Sequence, residues 1–489
     1  MSNDQYVLIL CPTTGGDLDL TSLRGCTIAD AHARFRRMAG GEVALARSGA
    51  TGAALSALAI GGEAVDPADP AIERWARWLL ERLDAGDLIY HREGKGWRLR
   101  SGKLHEESER RLDELTGWSD AALAGQRELL KHVDDPGDSG NELEQSLSKL
   151  AAAGWTVDSK KDKGPPTVHF AAGDMPLAEG DDWRADGVVH PRLAAALGVL
   201  IAALSPDERA AAPDEGVAAL SRRLPAVAVA VPGPDADFNA TLLDLRTIAK
   251  ALRDVGGLDL PSGEPLAKVL VTGAFALRTV ERAGQSASAS PPEPTGASLN
   301  GTGPDSRPAA ADPNAVDTLI AVHGADAVRL ALLHAAAPAK PFRGGEDVVG
   351  YAARFLAELD EVAATRLEGT AAGARIDADD GLRRRLAGWC DTALARSAEN
   401  HERLDMHRAS RNAIELLARI RDFEARVVEQ RGEVAGADRE AVAVALALLG
   451  QLLAPLAPTA AEAVWRQAGR DGSPGEAPWP AGPRETAAA

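Results

Sequence analysis

The chain has few cysteines and few aromatic side chains, and each shortage excludes a class of protein. Its three cysteines, Cys11, Cys26 and Cys390, are far apart in sequence and form no CxxC pair, so neither a disulfide framework nor a cysteine-based zinc module is expected. This cysteine usage favours a reducing compartment, and we expect a cytoplasmic protein. Aromatic residues make up only 4% of the 489 residues, so the cores must consist largely of Leu, Val and Ala.

Positive charge and long apolar runs are also scarce. The chain has 54 Lys and Arg against 72 Asp and Glu, which gives a formal net charge of −18. This balance disfavours a protein that coats nucleic acid non-specifically, because phosphate binding needs a basic face, and no DNA partner is predicted. No apolar run reaches the roughly 20 residues that span a bilayer. The N-terminal "MSNDQYVLIL" also lacks a signal-peptide pattern, so no membrane partner is expected.

Two stretches have the pattern of nucleotide-binding α/β units. A short apolar run at 6–10 is followed by a Pro- and Gly-containing loop and then by a segment with helical apolar spacing that ends at 40–41. A second apolar run at 226–231 precedes another loop, a helical segment at 240–257 and a third predicted strand at 267–277. Two such units around one parallel sheet predict a split α/β domain with an insertion.

The second half of the chain is predicted to be helical. Residues 281–313 are rich in Ser, Pro, Gly and Ala without apolar periodicity, which is typical of a disordered linker. Helical segments separated by short polar breaks follow, and they favour an antiparallel bundle. The predicted organisation is a Rossmann-like first half (1–134), an insertion or reduced connective module (135–222), a Rossmann-like second half (223–280), the linker (281–313), a helical stem-contact-like region (314–372), a bundle (373–480) and a tail (481–489).

The order of several motifs resembles that of the leucyl-tRNA synthetases, which are class I aminoacyl-tRNA synthetases. "RGCTIADAHARFRRMAG" at 24–40 is similar to the helix after the family's HxGH signature, and "HGADAVRLALLHAAAP" at 323–338 is similar to the family's "YGADxxRLxxLFAxPP". The resemblance covers roughly 6–130, 225–280 and 312–480. It implies an α/β Rossmann-like class I catalytic-type domain with an insertion, followed by an all-α anticodon-binding-like helical bundle.

The same resemblance locates a degenerate signature. In the family, the two HxGH histidines contact the ATP phosphates and stabilise the transition state of adenylate formation. Counting back from Arg24, the four signature positions here are Asp19, Leu20, Thr21 and Ser22. Asp19 has the same sign of charge as a phosphate, and Leu20 cannot donate a hydrogen bond, so these residues do not favour adenylate chemistry.

Other parts of the family's active site are altered as well. The lysine-bearing "KMSKS" loop is replaced by the linker, whose only cations are Arg282 and Arg307, and the segment that shapes the amino-acid pocket corresponds to "RSGATGAALSA" at 47–57. The loops after the two predicted strands retain candidate nucleotide-pocket positions, for which a plain turn and solvated carboxylates are the alternatives. These positions are Pro12, Thr13, Thr14, Gly15, Gly16, Gly233, Asp235 and Asp237.

Basic side chains of the bundle are the candidates for contacts with tRNA, which the family binds through this region. They are Arg383, Arg384, Arg385, Arg396, Arg403, Arg408 and Arg411. Acidic residues interleave with them, so ion pairs within the helices are the alternative interpretation. The ten histidines show no HxxxH or HxxEH grouping, so we expect surface histidines and no metal site.

The sequence therefore predicts a truncated, motif-degenerate paralogue of leucyl-tRNA synthetase. Its expected role is that of a pseudo-synthetase, a binding or regulatory protein without a cofactor, with tRNA or a protein as partner. Two alternatives stay open. One is a divergent but active ligase that joins leucine to tRNA, or an amino acid to a small acceptor, and uses ATP with Mg²⁺. The other is a structural subunit that pairs with an active synthetase.

Overall fold

The structure is a computed structural model of the chain, and it describes residues 5–10, 18–48, 53–64, 66, 69–104, 110–111, 155–158, 167–170, 175–185, 187–231, 238–260, 264–278, 315–369 and 375–480. The strands are β1 (Gln5–Leu10), β2 (Val43–Ser48), β3 (Glu63–Ala64), β4 (Ile89–Arg92), β5 (Gly96–Leu99), β6 (Arg110–Arg111), β7 (Trp155–Asp158), β8 (Thr167–Phe170), β9 (Pro176–Glu179), β10 (Val188–Val189), β11 (Ala226–Ala230), β12 (Leu266–Val271), β13 (Phe275–Arg278) and β14 (Phe342–Gly345). The helices are α1 (Leu20–Met38), α2 (Ala53–Ala57), α3 (Pro70–Ala85), α4 (Pro191–Ile201), α5 (Pro206–Ala210), α6 (Pro213–Arg223), α7 (Phe238–Gly256), α8 (Ala315–His323), α9 (Ala325–His334), α10 (Asp347–Leu367), α11 (Gly381–Glu402), α12 (Met406–Arg431), α13 (Ala437–Leu453) and α14 (Pro458–Gln467).

A five-stranded parallel sheet organises the first half of the chain, in the order β12–β11–β1–β2–β3. Its central strands β1 and β11 are almost entirely apolar because helices cover both faces of the sheet. Val7 and Ile9 pack toward α1 and the helical half, whereas Tyr6 and Leu8 pack toward α3, α4 and α7. The strand order reverses between β1 and β11, and ligands of such sheets bind outside the carboxyl ends of the strands at that point. The predicted α/β class with a helical second half is confirmed.

Helix α1 is longer than its apolar spacing suggested and begins at Leu20. Asp19 caps it, because its carboxylate accepts a 2.7 Å hydrogen bond from the backbone N–H of Ser22. Gly25 allows the helix to lie close to the end of β11, since a Cβ at this position would be 2.4 Å from the side chain of Val231. The first turns of α1 are therefore pressed against the centre of the sheet.

The segments outside this sheet differ in detail from the sequence-based expectations. The predicted insertion at 135–222 contains paired strands, because β7 and β8 form an antiparallel ladder and β9 joins a second sheet of order β10–β9–β5–β4. The helical pattern at 439–467, which alone predicts one continuous helix, is two helices, α13 and α14, because Pro455 and Pro458 interrupt the hydrogen-bond pattern between them. No helix within the described residues is long and apolar enough to cross a membrane.

A buried salt bridge connects α1 to the helical half. Asp30 on α1 is 1% exposed and Arg329 on α9 is 0% exposed, and the Arg329 Nη2 donates a hydrogen bond to the Asp30 Oδ2. Arg34 Nε donates to the same oxygen over 2.8 Å, and the N–H of Gly61 donates to Oδ1 over 2.9 Å. Burial alone would raise the pKa of Asp30, but these partners hold it below its usual value.

The Arg329 guanidinium also binds backbone carbonyls from two distant segments. It donates from Nη1 to Leu58 over 3.1 Å, from Nε to Leu456 over 3.1 Å and from Nη2 to Pro455 over 2.9 Å. Leu58 follows α2, and the other two carbonyls lie in the break between α13 and α14. One side chain thus holds together the sheet domain, α9 and the end of the bundle.

We predict that Arg329→Met lowers the free energy of unfolding by about 3–5 kcal/mol, because it leaves the Asp30 carboxylate buried without its main partner. The shift of the urea midpoint measures the effect. The matched control is Arg77→Met, whose ion pair with Glu73 is exposed and contributes about 1 kcal/mol or less. Equal shifts for the two variants would contradict a dominant role of the buried pair.

Candidate functional site

The first turn of α1 carries the four predicted signature positions. The carboxylate of Asp19 is exposed and caps its own helix, as described above. Leu20 packs partly against the hydrophobic core, and Ser22 is only 2% exposed. None of these three side chains offers a cation, and the one that faces solvent is an anion.

Thr21, at the third signature position, is held by the protein itself. Its Oγ1 donates to the carbonyl of Phe275 over 3.2 Å and accepts from the N–H of the same residue over 3.0 Å. A hydroxyl group has one proton to donate, and this contact uses it. Thr21 therefore attaches the first turn of α1 to β13, which is distant in sequence.

Arg24 strengthens the same attachment from the next turn of the helix. Its Nη1 donates to the carbonyls of Gly273 (3.1 Å) and Lys340 (2.8 Å), and its Nη2 donates to those of Ala336 (2.8 Å) and Ala337 (2.9 Å). Burial without a carboxylate partner lowers the pKa of Arg24 to about 10, so the side chain stays charged at neutral pH. Arg24 acts here as a structural clamp on four backbone carbonyls.

The clamped segments also contact each other closely. A Cβ at Gly273 would be 2.2 Å from the carbonyl carbon of Lys340, so only glycine allows this approach of the two backbones. Phe275 on β13 is the register partner of Phe342 on β14, and their rings stack with centroids 4.9 Å apart. The first turn of α1 is thereby covered by two ordered protein segments.

The remaining predicted nucleotide-pocket positions fall on the loops after β1 and β11. These positions lie outside the described residues, and they are Pro12, Thr13, Thr14, Gly15, Gly16, Gly233, Asp235 and Asp237. Arg282 and Arg307 of the linker also lie outside them. Within the part of the chain that the structure describes, no group of three or more His, Cys, Asp or Glu side chains could hold a metal ion.

Several bundle arginines are engaged by neighbouring residues. Arg383 has a side chain only 13% exposed and lies 3.4 Å from Asp377 and 3.3 Å from Asp438. Arg403 forms an exposed 2.8 Å pair with Glu399 one turn earlier. Arg384 donates a hydrogen bond to the backbone carbonyl of Asp379, and Arg408 pairs with the carboxylate of Asp405.

Three of the predicted arginines are free within the described residues. Arg385, Arg396 and Arg411 are exposed and make no hydrogen bond or salt bridge there. Arg385 and Arg396 are both on α11 and eleven residues apart, which places them on one face of the helix about 16 Å from each other. Arg396 also lines a cavity between α11 and α12, beside Trp389 and Asn412.

Curated relatives match about a third of this chain, and no family model matches it. A leucine–tRNA ligase of Halobacterium salinarum is 32% identical over 178 residues, which are 35% of this chain and 18% of the ligase. A leucine–tRNA ligase of Thioalkalivibrio sulfidiphilus is 31% identical over 174 residues, which are 34% of this chain and 20% of the ligase. The match thus spans about a fifth of the length of these relatives.

The likeness to solved structures extends over nearly the whole chain. A LeuRS of Agrobacterium radiobacter K84, in a ternary complex with tRNA and LeuAMS, has a TM-score of 0.60 at 14% identity over 99% of this chain and 87% of its own. Mycobacterium tuberculosis methionyl-tRNA synthetase, in complex with methionyl-adenylate, has a TM-score of 0.59 at 15% identity over 96% and 94%. The chain is a class I aminoacyl-tRNA synthetase-like protein. The fold is shared with these structures, and the sequence similarity is to leucine–tRNA ligases.

The histidines of this synthetase-like chain are not all on the surface, so that expectation is wrong for His32 and His401. Both are 0% exposed, and the ring of His401 stacks on that of Phe35 with centroids 4.8 Å apart. Trp479 packs edge-on against Phe35 at the same distance. His32 contacts the carbonyl of His401 through Nδ1 over 2.8 Å. The spacing on α1 was compatible with this burial, but the covering residues come from the far end of the chain.

Burial keeps these two histidines neutral. It lowers the pKa of His32 to about 4 and that of His401 to about 3, and the neighbouring His32 lowers the latter further. Both ring nitrogens of His401 lack a hydrogen-bond partner among the described residues. Protonation of either ring would place a charge inside the contact between α1 and the bundle.

We predict that the free energy of unfolding falls as the pH decreases from about 6.5 toward about 4. In this interval the unfolded chain binds protons that the folded chain excludes, and each histidine contributes up to about 1.4 kcal/mol per pH unit. Urea unfolding at a series of pH values measures the slope. The variant His401→Phe keeps a ring against Phe35. Its free energy of unfolding should depend less steeply on pH, by the contribution of one histidine, and its curve should run parallel to that of the wild type above pH 7.5. An unchanged slope would refute this assignment.

Proposed function

We propose that this chain is a leucyl-tRNA synthetase-like protein that does not form aminoacyl-adenylate and uses the scaffold for a binding or regulatory role in the cytoplasm. In this proposal residues 1–134 and 223–280 form the Rossmann-like domain, and 373–480 form an anticodon-binding-like bundle. Residues 135–222 are its reduced connective module, 281–313 its linker and 314–372 a stem-contact-like region.

The arrangement of the first turn of α1 carries this proposal. Adenylate formation needs preorganised donors directed at the negative charge that develops on the phosphates. At this turn the exposed group is the Asp19 carboxylate. The Thr21 hydroxyl donates its hydrogen bond to the carbonyl of Phe275, and Ser22 is buried. A carboxylate beside a triphosphate raises the energy of the transition state instead of lowering it.

Buried polar contacts elsewhere in the molecule support retention of the scaffold. The segment "RGCTIADAHARFRRMAG" provides both Arg24, which clamps four carbonyls, and Asp30, which binds Arg329. Arg329 in turn belongs to the "GADAVRL" segment that carries the family resemblance. These three residues stabilise the fold, and their presence is compatible with a protein that keeps the synthetase fold without forming aminoacyl-adenylate.

Amino-acid-dependent exchange of pyrophosphate into ATP tests the proposal. We predict no exchange above background with leucine or any other standard amino acid, under conditions in which an active leucine–tRNA ligase responds. Exchange by this chain would establish the alternative, a divergent but active ligase. The control variant is Arg24→Ala, which releases the first turn of α1. If the wild type and this variant give equal exchange, the activity comes from a copurifying synthetase and not from this site.

We also propose tRNA as the partner of this protein, through the free arginines of the bundle. Arg385 and Arg396 present two cations along one face of α11, and Arg411 adds a third from α12. A pair of guanidinium groups about 16 Å apart suits phosphates a few nucleotides apart. The other four candidate arginines are held by protein groups and contribute less in this proposal.

Titration with tRNA at several salt concentrations tests this partner. We predict that Arg385→Gln/Arg396→Gln weakens binding and reduces the slope of log K against log salt by about 2, one unit for each lost phosphate contact. The control has the same charge change at Arg77→Gln/Arg426→Gln, two arginines in exposed pairs away from these positions. If both double variants behave alike, binding through α11 is excluded.

A further inference from the structure

The cavity between α11 and α12 has an aromatic end and a polar end. The connection at 403–405 is short, so the two helices are antiparallel neighbours. Trp389 on α11 and Arg419 on α12 lie equally far from that connection, and the guanidinium is 5.3 Å from the centroid of the ring. Arg396 and Asn412 are the corresponding pair closer to the connection, and both line the cavity. Its volume is about 160 Å³.

Small side chains between the two ends leave this space open. Thr392 and Ala393 occupy the turn of α11 between the ends, and neither side chain extends far from the backbone. The Thr392 hydroxyl donates a 2.8 Å hydrogen bond to the carbonyl of Gly388 in its own helix, so it offers no proton to the cavity. A cavity of roughly 150 Å³ holds one benzene ring, so the space suits a single flat ring system.

The Asn412 amide has no hydrogen-bond partner in the cavity wall. Its Nδ2 is shielded from solvent and makes no hydrogen bond. Arg24 and Arg36 also have one shielded nitrogen without a partner, but their other nitrogens donate to carbonyls or to a carboxylate. The Asn412 side chain makes no hydrogen bond at all to the residues that the structure describes. An unpaired amide donor destabilises the folded chain, and such a group needs an explanation.

The charge around the cavity favours an anionic group. All the side chains that line it belong to α11 and α12, of which the structure describes every residue. Arg419 forms a 3.0 Å pair with Glu415, so these two lining side chains compensate each other. Arg396 is exposed and has no such partner within the described residues. The cavity thus presents an aromatic ring, an amide and one uncompensated cation, which match the base and the phosphate of a nucleotide.

We propose that this cavity binds one unpaired nucleotide of an RNA strand, and the inference rests on the tRNA partner proposed above. The base enters beside Trp389 and the Arg419 guanidinium, and Arg396 pairs with the phosphate. The Asn412 amide offers one donor and one acceptor, which match N7 and the amino group of adenine. Adenine is therefore the preferred base. Arg385, on the same face of α11, binds another phosphate of the strand.

Titration with short labelled RNAs tests this site. Oligoadenylate and oligoinosinate are the matched probes, because hypoxanthine has a carbonyl in place of the amino group of adenine. We expect the wild-type protein to bind oligoadenylate about ten-fold more tightly, which is the discrimination expected from one amide–base pair. In Asn412→Leu the Kd for oligoadenylate should rise to that for oligoinosinate. Arg396→Gln should weaken the binding of both RNAs, since the phosphate contact does not depend on the base.

The control variant is Arg77→Gln, whose arginine forms an exposed pair with Glu73 on α3, and it should bind both RNAs like the wild type. The urea midpoint of Asn412→Leu gives a second readout. It should equal or exceed that of the wild type, because an apolar side chain of similar size replaces an unpaired amide. The inference is wrong if the wild type does not distinguish the two RNAs, if Asn412→Leu binds oligoadenylate like the wild type, or if this variant unfolds at clearly lower urea.

Titration with tRNA separates this inference from the partner on which it rests. If Asn412→Leu distinguishes the two short RNAs as the wild type does, while Arg385→Gln/Arg396→Gln weakens the binding of tRNA, the nucleotide cavity is refuted and the tRNA partner stands. If the wild-type protein binds neither tRNA nor the short RNAs, both proposals are refuted.

Discussion

Asp30 and Arg329 bring two opposite charges into a place from which water is excluded, and the polypeptide around them must satisfy both. Burial of an unpaired ion is strongly unfavourable, so the carbonyls of Leu58, Pro455 and Leu456 have to stay within reach of the guanidinium. The loop after α2, helix α9 and the break between α13 and α14 are thereby fixed relative to α1. The position of the first turn of α1, and with it the candidate site, follows from this arrangement.

Much of the fold could be predicted from the sequence because its signals are local. The short apolar runs that form β1 and β11 are typical of parallel strands in a sheet covered on both faces. The start of α1 and the break at Pro455 were readable too, from a capping aspartate and from two prolines, although apolar spacing alone missed them. Burial of His32 and His401 was not predictable, since their neighbours Phe35 and Trp479 meet only in the folded chain.

The identity of the candidate site stays a prediction from the sequence, in which Asp19, Leu20, Thr21 and Ser22 correspond to a histidine signature. The arrangement of these residues was not predictable. The hydrogen bonds between Thr21 and Phe275 are not visible in the sequence, because 254 residues separate the two.

The contact of Trp479 with Phe35 and His401 has a consequence for how the chain is made. The aromatic ring that covers this side of α1 is synthesised 444 residues after Phe35. At ~5–20 residues per second that interval is on the order of 20–90 s. Throughout it, the nascent helix presents an uncovered apolar flank that chaperones can recognise. The contact of Phe35 with Trp479 thus forms only after Trp479 has been synthesised.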